Sequence, residues 1–385
     1  MTHSGTLALK RLTLTDFRNY AGLRLDVDGP AIALTGPNGA GKTNLLEAIS
    51  LLAPGRGLRG AAFEDLARQG GSGTWAIAVE AETPEGPVSL GTGWSGQGEG
   101  DSPAQGRLVL VDGHVQKSSG ALGQFMRVLW LTPAMDRLFA GPASDRRRFM
   151  DRLVAAFDPE HASRLLVFEK VMRERNLLLE DPRADGTWLG SLEAHMAEAA
   201  VAIAAARLTA LDALRFHIGE TRETSRFPWS EISLDGEIEA LVSAMPAVRA
   251  EDEYRRLLND SRRQDRGAGR TLSGPHRSDL AVRHGPKSMP AGLCSTGEQK
   301  ALLIGLILAQ ARAVAGVSGI PPLLLLDEVA AHLDRERRQG LFGALAALGC
   351  QAWMTGTDVE LFADLGREGM VFHVEDGTVS DVKRV

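Results

Sequence analysis

The segment Gly36-Pro37-Asn38-Gly39-Ala40-Gly41-Lys42-Thr43 limits what this chain can fold into more than any other. It fits the pattern G-x-x-x-x-G-K-[ST] of a phosphate-cradling loop. Such a loop needs a buried strand before it and a helix after it. The apolar run Ala31–Thr35 supplies the strand. Asn44–Leu52 reads as the helix, ended by Pro54, Gly55 and Gly57. The glycines permit a tight turn whose backbone N–H groups face phosphate, and the helix N-terminus adds partial positive charge. Lys42 is expected to neutralise the outer phosphates and the Thr43 hydroxyl to ligate Mg²⁺, with ATP as the nucleotide. The bland alternative, a glycine turn without a ligand, is disfavoured by the flanking elements.

A second motif lies far downstream. Leu323-Leu324-Leu325-Leu326 is an apolar strand ending in Asp327-Glu328. Acids often end buried strands, so the motif is weak alone. Paired with a phosphate loop it gains meaning, because ligands bind at the carboxyl edge of an open parallel sheet. Asp327 is expected to hold Mg²⁺ directly or through water, and Glu328 to orient and deprotonate the attacking water. Almost the whole chain lies between the two motifs. That spacing points to a nucleotide-binding head split by an insertion.

The intervening pattern agrees. The start alternates as strand–turn–strand, and Gly70–Gly106 reads as hairpins, with Leu108–Val111 and Val128–Leu131 as further strands. From Arg146 the period becomes helical, with a break at Asp181-Pro182 and an Ala-rich helix over Leu189–Phe216. The last third alternates strand and helix, which argues for a parallel sheet covered by helices. We therefore expect an N-terminal half-head at 1–145, a helical insertion at 146–265 and a C-terminal half-head at 266–385. No heptad is sustained, and a helix of about 30 residues spans only about 45 Å, too short for a long coiled-coil arm.

Composition excludes some classes. The net charge of −6 argues against a uniformly basic nucleic-acid coat. Arginine is nevertheless clustered at Arg146-Arg147-Arg148, Arg173 with Arg175, Arg255-Arg256, and Arg262-Arg263 with Arg266 and Arg270; each cluster alone is more often a solvated helix face. The two cysteines, Cys294 and Cys350, are too few for a disulfide-stapled fold and read as small buried thiols. No apolar run is expected to span a bilayer, and Met1–Lys10 lacks a leader-like pattern, so a cytoplasmic location is expected.

Two smaller motifs complete the pattern. Cys294-Ser295-Thr296-Gly297-Glu298-Gln299 is locally a helix start with Glu298 in capping-box position. Beside a phosphate loop it is better read as the signature loop of ABC-type ATPases, with Ser295, Gly297 and Gln299 addressing the γ-phosphate of an opposite subunit. Ala330-Ala331-His332-Leu333-Asp334 matches the D-loop of that superfamily, where Asp334 would meet the partner. The switch position, often His in transporters, falls at Thr355-Gly356-Thr357-Asp358 and contains none. No glutamine for a Q-loop stands around Val128–Asp136.

The chain resembles the bacterial RecF family along nearly its whole length. The resemblance is carried by Leu14–Tyr20 with its Phe-Arg-Asn-Tyr, Gly36–Asn44, Leu51–Arg59, Arg146–Asp151, Arg175–Leu178, Thr271–Asp279 with its Gly-Pro-His-Arg, Ser295–Gln299 and Asp327–Asp334. It implies an α/β fold, an ABC-type ATPase head related to Rad50 and SMC heads with a helical arm-like insertion domain. It further implies an ATP-dependent homodimer that binds single-stranded and gapped or junction DNA, works with RecR and RecO to load RecA, and hydrolyses ATP slowly as a switch. Arg59 matches an arginine that approaches nucleotide or DNA in related heads. Arg59 and Arg146–Arg148 are the DNA-contact candidates. The rival classes are an SMC-like DNA-bridging ATPase, a transporter ATPase subunit and the head of an end-processing nuclease.

Overall fold

The computed structural model describes residues 7–96, 106–181, 183–366 and 368–382. The sequence expectations for the first six residues, for part of the Gly70–Gly106 stretch and for Pro182 lie outside them. Strands β1 (Ala8–Phe17), β2 (Tyr20–Asp26) and β3 (Ala31–Thr35) lead into helix α1 (Lys42–Ser50). Next come β4 (Trp75–Thr83), β5 (Gly86–Trp94), β6 (Leu108–Val111), β7 (His114–Val115) and β8 (Val128–Leu131). The helical stretch holds α2 (Ala143–Ala155), α3 (His161–Glu180), α4 (Gly186–Glu220), β9 (Ser230–Asp235), α5 (Glu237–Ala244), α6 (Ala247–Ala268), β10 (Asp279–His284) and β11 (Met289–Pro290). The chain ends with α7 (Thr296–Ser318), β12 (Leu323–Leu326), α8 (Arg335–Leu348), β13 (Ala352–Thr355), β14 (Gly369–Glu375) and β15 (Thr378–Val382).

These elements form two compact units. One gathers the chain up to Asp136, the short return Thr224–Phe227 and everything from Leu303. The other is Arg137–Glu223 with Pro228–Leu302. The insertion is thus wider than the helical periodicity suggests. Its extra residues are held by non-local pairing that no local pattern announces: β10 pairs with β9 in register from Asp279↔Asp235 to His284↔Ser230, and β11 adds a third strand.

The first unit carries two six-stranded sheets. The antiparallel one runs β2-β1-β4-β5-β6-β7. Its β4 alternates as a half-buried strand must, with Trp75, Ile77, Val79 and Ala81 buried and Ala76, Ala78 and Glu80 exposed. The other runs β15-β14-β3-β13-β12-β8 and is parallel except at the β14–β15 edge. Strand β12 is four leucines, all buried, as expected where both faces of a parallel strand are covered. The two sheets share one apolar cluster that includes Leu12, Ile77, Leu325 and Trp353. Gln351 joins them through polar contacts. Its Nε2 donates to the carbonyls of Leu9 and Gly29, both at 3.0 Å, and its Oε1 accepts from the Leu9 N–H at 2.8 Å. Parallel pairing of β3, β13 and β12 aligns their C-terminal ends, so Thr35, Thr355 and Leu326 sit at one edge.

In the second unit α3 and α6 pack on α4, whose buried face is rich in small residues such as Ala197, Ala200 and Ala204. Helix α4 has 35 residues, about 52 Å of helix. Arg175, placed by sequence in a candidate basic face, is instead 0% exposed. It donates to Glu193 at 3.0 Å, Asp265 and the Leu258 carbonyl at 2.7 Å, and Thr271 at 2.9 Å. Arg262, from the same set of clusters, donates to Glu193 as well. A second buried hub, Arg207, bridges Asp151, Glu239 and the Pro275 carbonyl. The Thr271–Asp279 segment is therefore tied at Thr271, Pro275 and, through Ser278 to Glu239, at its far end.

One helix bears on the expectation that no apolar run spans a bilayer. Helix α7 is long and apolar enough to cross a membrane by composition, with a mean hydropathy of 1.8 over its best window. Two-thirds of that window is buried within the fold, so it behaves as a core helix.

Replacing Arg175 by Ala would leave the buried Asp265 without its guanidinium and Glu193 with Arg262 alone. We expect a loss of roughly 3–5 kcal/mol from the second unit, read as a large drop in the helical melting temperature by circular dichroism.

Candidate functional site

The phosphate loop begins where β3 ends. Gly36 has φ 133 and its amide donates to the Thr357 carbonyl at 3.3 Å; a Cβ there would meet the Val374 carbonyl at 2.2 Å. Gly41, with φ 112, starts α1. Both positions demand glycine, for conformation and for space. Lys42 is buried, and its Nζ donates back to the carbonyls of Gly36 at 2.7 Å and Pro37 at 2.8 Å. Burial lowers the Lys42 pKa, and the charges of Glu328 and Asp327 partly offset that. The ammonium is thus held centrally over its own loop.

The acids expected beside this loop are there. The Thr43 hydroxyl donates to Asp327, 2.9 Å from Oδ1 and 3.1 Å from Oδ2, across 284 residues of sequence. The Thr355 hydroxyl donates to Asp327 Oδ1 at 2.7 Å and accepts the Glu328 N–H at 2.8 Å. Glu328 adopts φ 51, a left-handed conformation that a non-glycine residue rarely takes. A hydroxyl and a carboxylate meeting under a helix N-terminus form a donor set suited to a hard divalent cation that keeps some of its water. Together with the loop amides and Lys42, they can hold a polyphosphate and its cation.

Sequence reasoning did not find what supports this loop. In the β1–β2 turn, Arg18 has φ 54, and its guanidinium clasps Glu47 of α1 with two bonds of 2.8 Å. Asn19 donates to the Ala40 carbonyl at 3.0 Å and accepts from Asn44 at 2.8 Å. The Tyr20 hydroxyl donates to the Gly41 carbonyl at 3.1 Å. The Phe-Arg-Asn-Tyr string therefore braces the phosphate loop from behind. Its pairing with the loop could not be read from spacing, because it requires the hairpin to fold against α1.

The candidate DNA arginines fare unequally. Arg59 is 40% exposed on its side chain but donates to Asn44 at 2.7 Å and to the buried Glu47 at 2.9 Å. Arg146 forms a two-pronged pair with Asp279 at 2.7 Å, and Arg147 donates to the Ser278 carbonyl at 2.8 Å. Both are committed to holding the Ser278–Asp279 segment. Arg148, 78% exposed and paired with Asp145 three residues before it, is the member of that trio that faces solvent.

The signature segment belongs to the second unit and opens α7. The local reading holds in half: the Ser295 N–H and hydroxyl both donate to the Glu298 carboxylate at 3.0 Å, the Glu298 side of a capping box. Lys287 and these Ser295 bonds hold the Glu298 carboxyl down at about 2. Gln299 is buried and donates to the Cys294 carbonyl at 2.9 Å, so it builds the helix start rather than facing outward. Ser295 and Gly297 are exposed. Asp334 caps α8 by accepting the Arg337 N–H at 2.8 Å.

Asn19→Ala would remove the donor to the Ala40 carbonyl. We expect nucleoside triphosphate binding to weaken about tenfold, the equivalent of one hydrogen bond, in a titration with a fluorescent nucleotide.

A family model described as an AAA domain matches residues 11–64, which contain the phosphate loop and its brace. The chain is 54% identical over 372 residues to DNA replication and repair protein RecF of Mesorhizobium japonicum, covering 96% of this chain and 97% of that one. It is 50% identical to the protein of the same name from Brucella suis, covering 98% and 97%. Among solved structures, the recombination mediator protein RecF-ATPrS in the RecFOR pathway superposes with a TM-score of 0.86 at 23% identity, covering 99% of this chain and all of that one. An SMC head domain from Pyrococcus furiosus superposes at 0.53 and 15% identity, covering 98% and 96%. The last two likenesses speak for the fold, an ATPase head shared with SMC proteins. The full-length identity speaks for the family: the chain belongs to the RecF family of DNA replication and repair proteins.

Proposed function

We propose that this protein is an ATP-gated, dimeric DNA clamp of recombinational repair. The observation that carries the reading is the Thr43–Asp327 hydrogen bond, which brings the phosphate loop and the acidic strand end into one site. The residues present fit ATP-Mg²⁺. Gly36 and Gly41 have the backbone that a phosphate cradle needs, Lys42 is held over the loop, and Thr43 with Asp327 supplies oxygen ligands. When bound, the nucleotide and its cation supply a cleavable phosphoanhydride and the charge that draws two subunits together.

The chain's own residues do the rest. Lys42 moves its donors from the Gly36 and Pro37 carbonyls to phosphate oxygens. Glu328 orients a water and accepts its proton. Ser295 and Gly297, exposed at the start of α7, offer a hydroxyl and a bare N–H to the phosphate held by a second copy. Asp334 lies on the same kind of contact. Closure of two heads presents cationic side chains to DNA phosphates; Arg148 and Arg59 are the candidates with exposed guanidinium surface. ATP acts as a switch, so slow hydrolysis suffices. The RecFOR pathway named for the solved relative supports a role alongside RecR and RecO; action at gapped or single-stranded DNA, in the cytoplasm, is part of the same proposal. Helix α4 folds back on α3 and α6, which disfavours long-range bridging of the SMC kind.

Lys42→Ala should abolish ATP binding in a nucleotide titration. Glu328→Gln should bind ATP normally and accumulate as dimer, whereas Ser295→Arg should bind ATP and stay monomeric, both read by light scattering with and without ATP. A Glu328→Gln protein that hydrolyses at the wild-type rate would remove Glu328 from the mechanism. DNA binding across a salt series should show a steep slope and depend on ATP; affinity independent of ATP would break the clamp.

A further inference from the structure

We infer that Thr355 is the positioning residue for both strand-end acids, a role that rests on the assignment of Glu328 as the proton acceptor. Thr355 ends β13, the strand between the phosphate-loop strand β3 and the acidic strand β12. It opens the Thr355–Asp358 stretch, which corresponds to the switch position and holds no histidine. Leu326 pairs with Met354, and the next residue on each strand is Asp327 and Thr355, so strand register places the hydroxyl beside the acids. The residue is 0% exposed.

A threonine hydroxyl has one proton and two lone pairs. The proton goes to Asp327 Oδ1 at 2.7 Å, which turns a lone pair toward the Glu328 amide at 2.8 Å. One oxygen therefore sets two things together. It fixes the rotation of the Asp327 carboxylate that also meets Thr43, and it anchors the backbone of Glu328 in its left-handed conformation. Because successive side chains on a strand face opposite sides, an extended Glu328 would face away from the side that Asp327 serves. The left-handed turn at φ 51 re-aims the residue, and Thr355 holds that turn. Thr355 is fully buried, and its hydroxyl is engaged with Asp327 and the Glu328 amide. It acts through its neighbours, and its register partner in β3 is Leu34, one residue before Thr35 and two before Gly36.

The test compares Thr355→Val, which keeps the shape and removes the hydroxyl, with Thr355→Ser, which keeps the hydroxyl. In Thr355→Val the turnover number should fall at least tenfold while ATP affinity, measured by titration, changes less than threefold. Thr355→Ser should restore most of the rate. Without nucleotide, the Glu328 amide should exchange with deuterium faster in the Val variant and at the native rate in the Ser variant. In a Glu328→Gln background, Thr355→Val should cost less rate than it does alone, because the part of its effect that runs through Glu328 is already lost. Wild-type turnover in Thr355→Val, an unchanged exchange rate, or full additivity with Glu328→Gln would each overturn the inference. Wild-type turnover in Glu328→Gln alone would instead overturn the assignment of Glu328, which keeps the two failures apart.

Discussion

The Thr43–Asp327 contact depends on the parallel pairing of β3, β13 and β12. Parallel strands present all their C-terminal ends at one edge, so residues separated by most of the chain arrive together. Without that pairing, Thr43 would cap nothing acidic and Asp327 would be an isolated carboxylate at the end of a leucine strand. The insertion is tolerated between the halves because it folds on contacts of its own, with Arg175 and Arg207 as buried hubs. Long connections cost little once their ends are fixed.

The same economy appears around the phosphate loop. Glu47, 1% exposed on α1, receives two arginines from different segments, Arg18 in the hairpin turn and Arg59 in the loop after the helix. Asn19, Asn44 and Arg59 then form an unbroken chain of hydrogen bonds from the Ala40 carbonyl to that carboxylate. A buried charge needs partners, and here the partners are drawn from the segments that must stay close to the nucleotide. The brace gives a mechanical role to the Phe-Arg-Asn-Tyr string that carries the resemblance.

Local sequence logic was reliable where the physics is local. The glycine loop, the strand before it and the helix after it follow from dihedral freedom and periodicity over a few residues. So does the Glu298 half of the Ser295–Glu298 capping box, in which the carboxylate accepts the Ser295 N–H. Local logic failed where a residue's partner is distant. Arg175 looks like part of a basic face, yet it is the centre of a buried network, because Glu193 and Asp265 come from other helices. Arg146 and Arg147 look like phosphate binders, yet they hold Ser278 and Asp279.

The sequence alone determined the chemistry available: a cradle for phosphates, a cationic Lys42, a hydroxyl and two acids, and the family to which they belong. Residue type and short-range spacing decide those properties. Only the tertiary structure decided which groups meet. It made Asp327 the partner of Thr43, gave Thr355 control of two acids and turned several arginines from surface charges into internal struts. Strand register and helix packing set those pairings, and both depend on contacts between residues that are far apart in the chain.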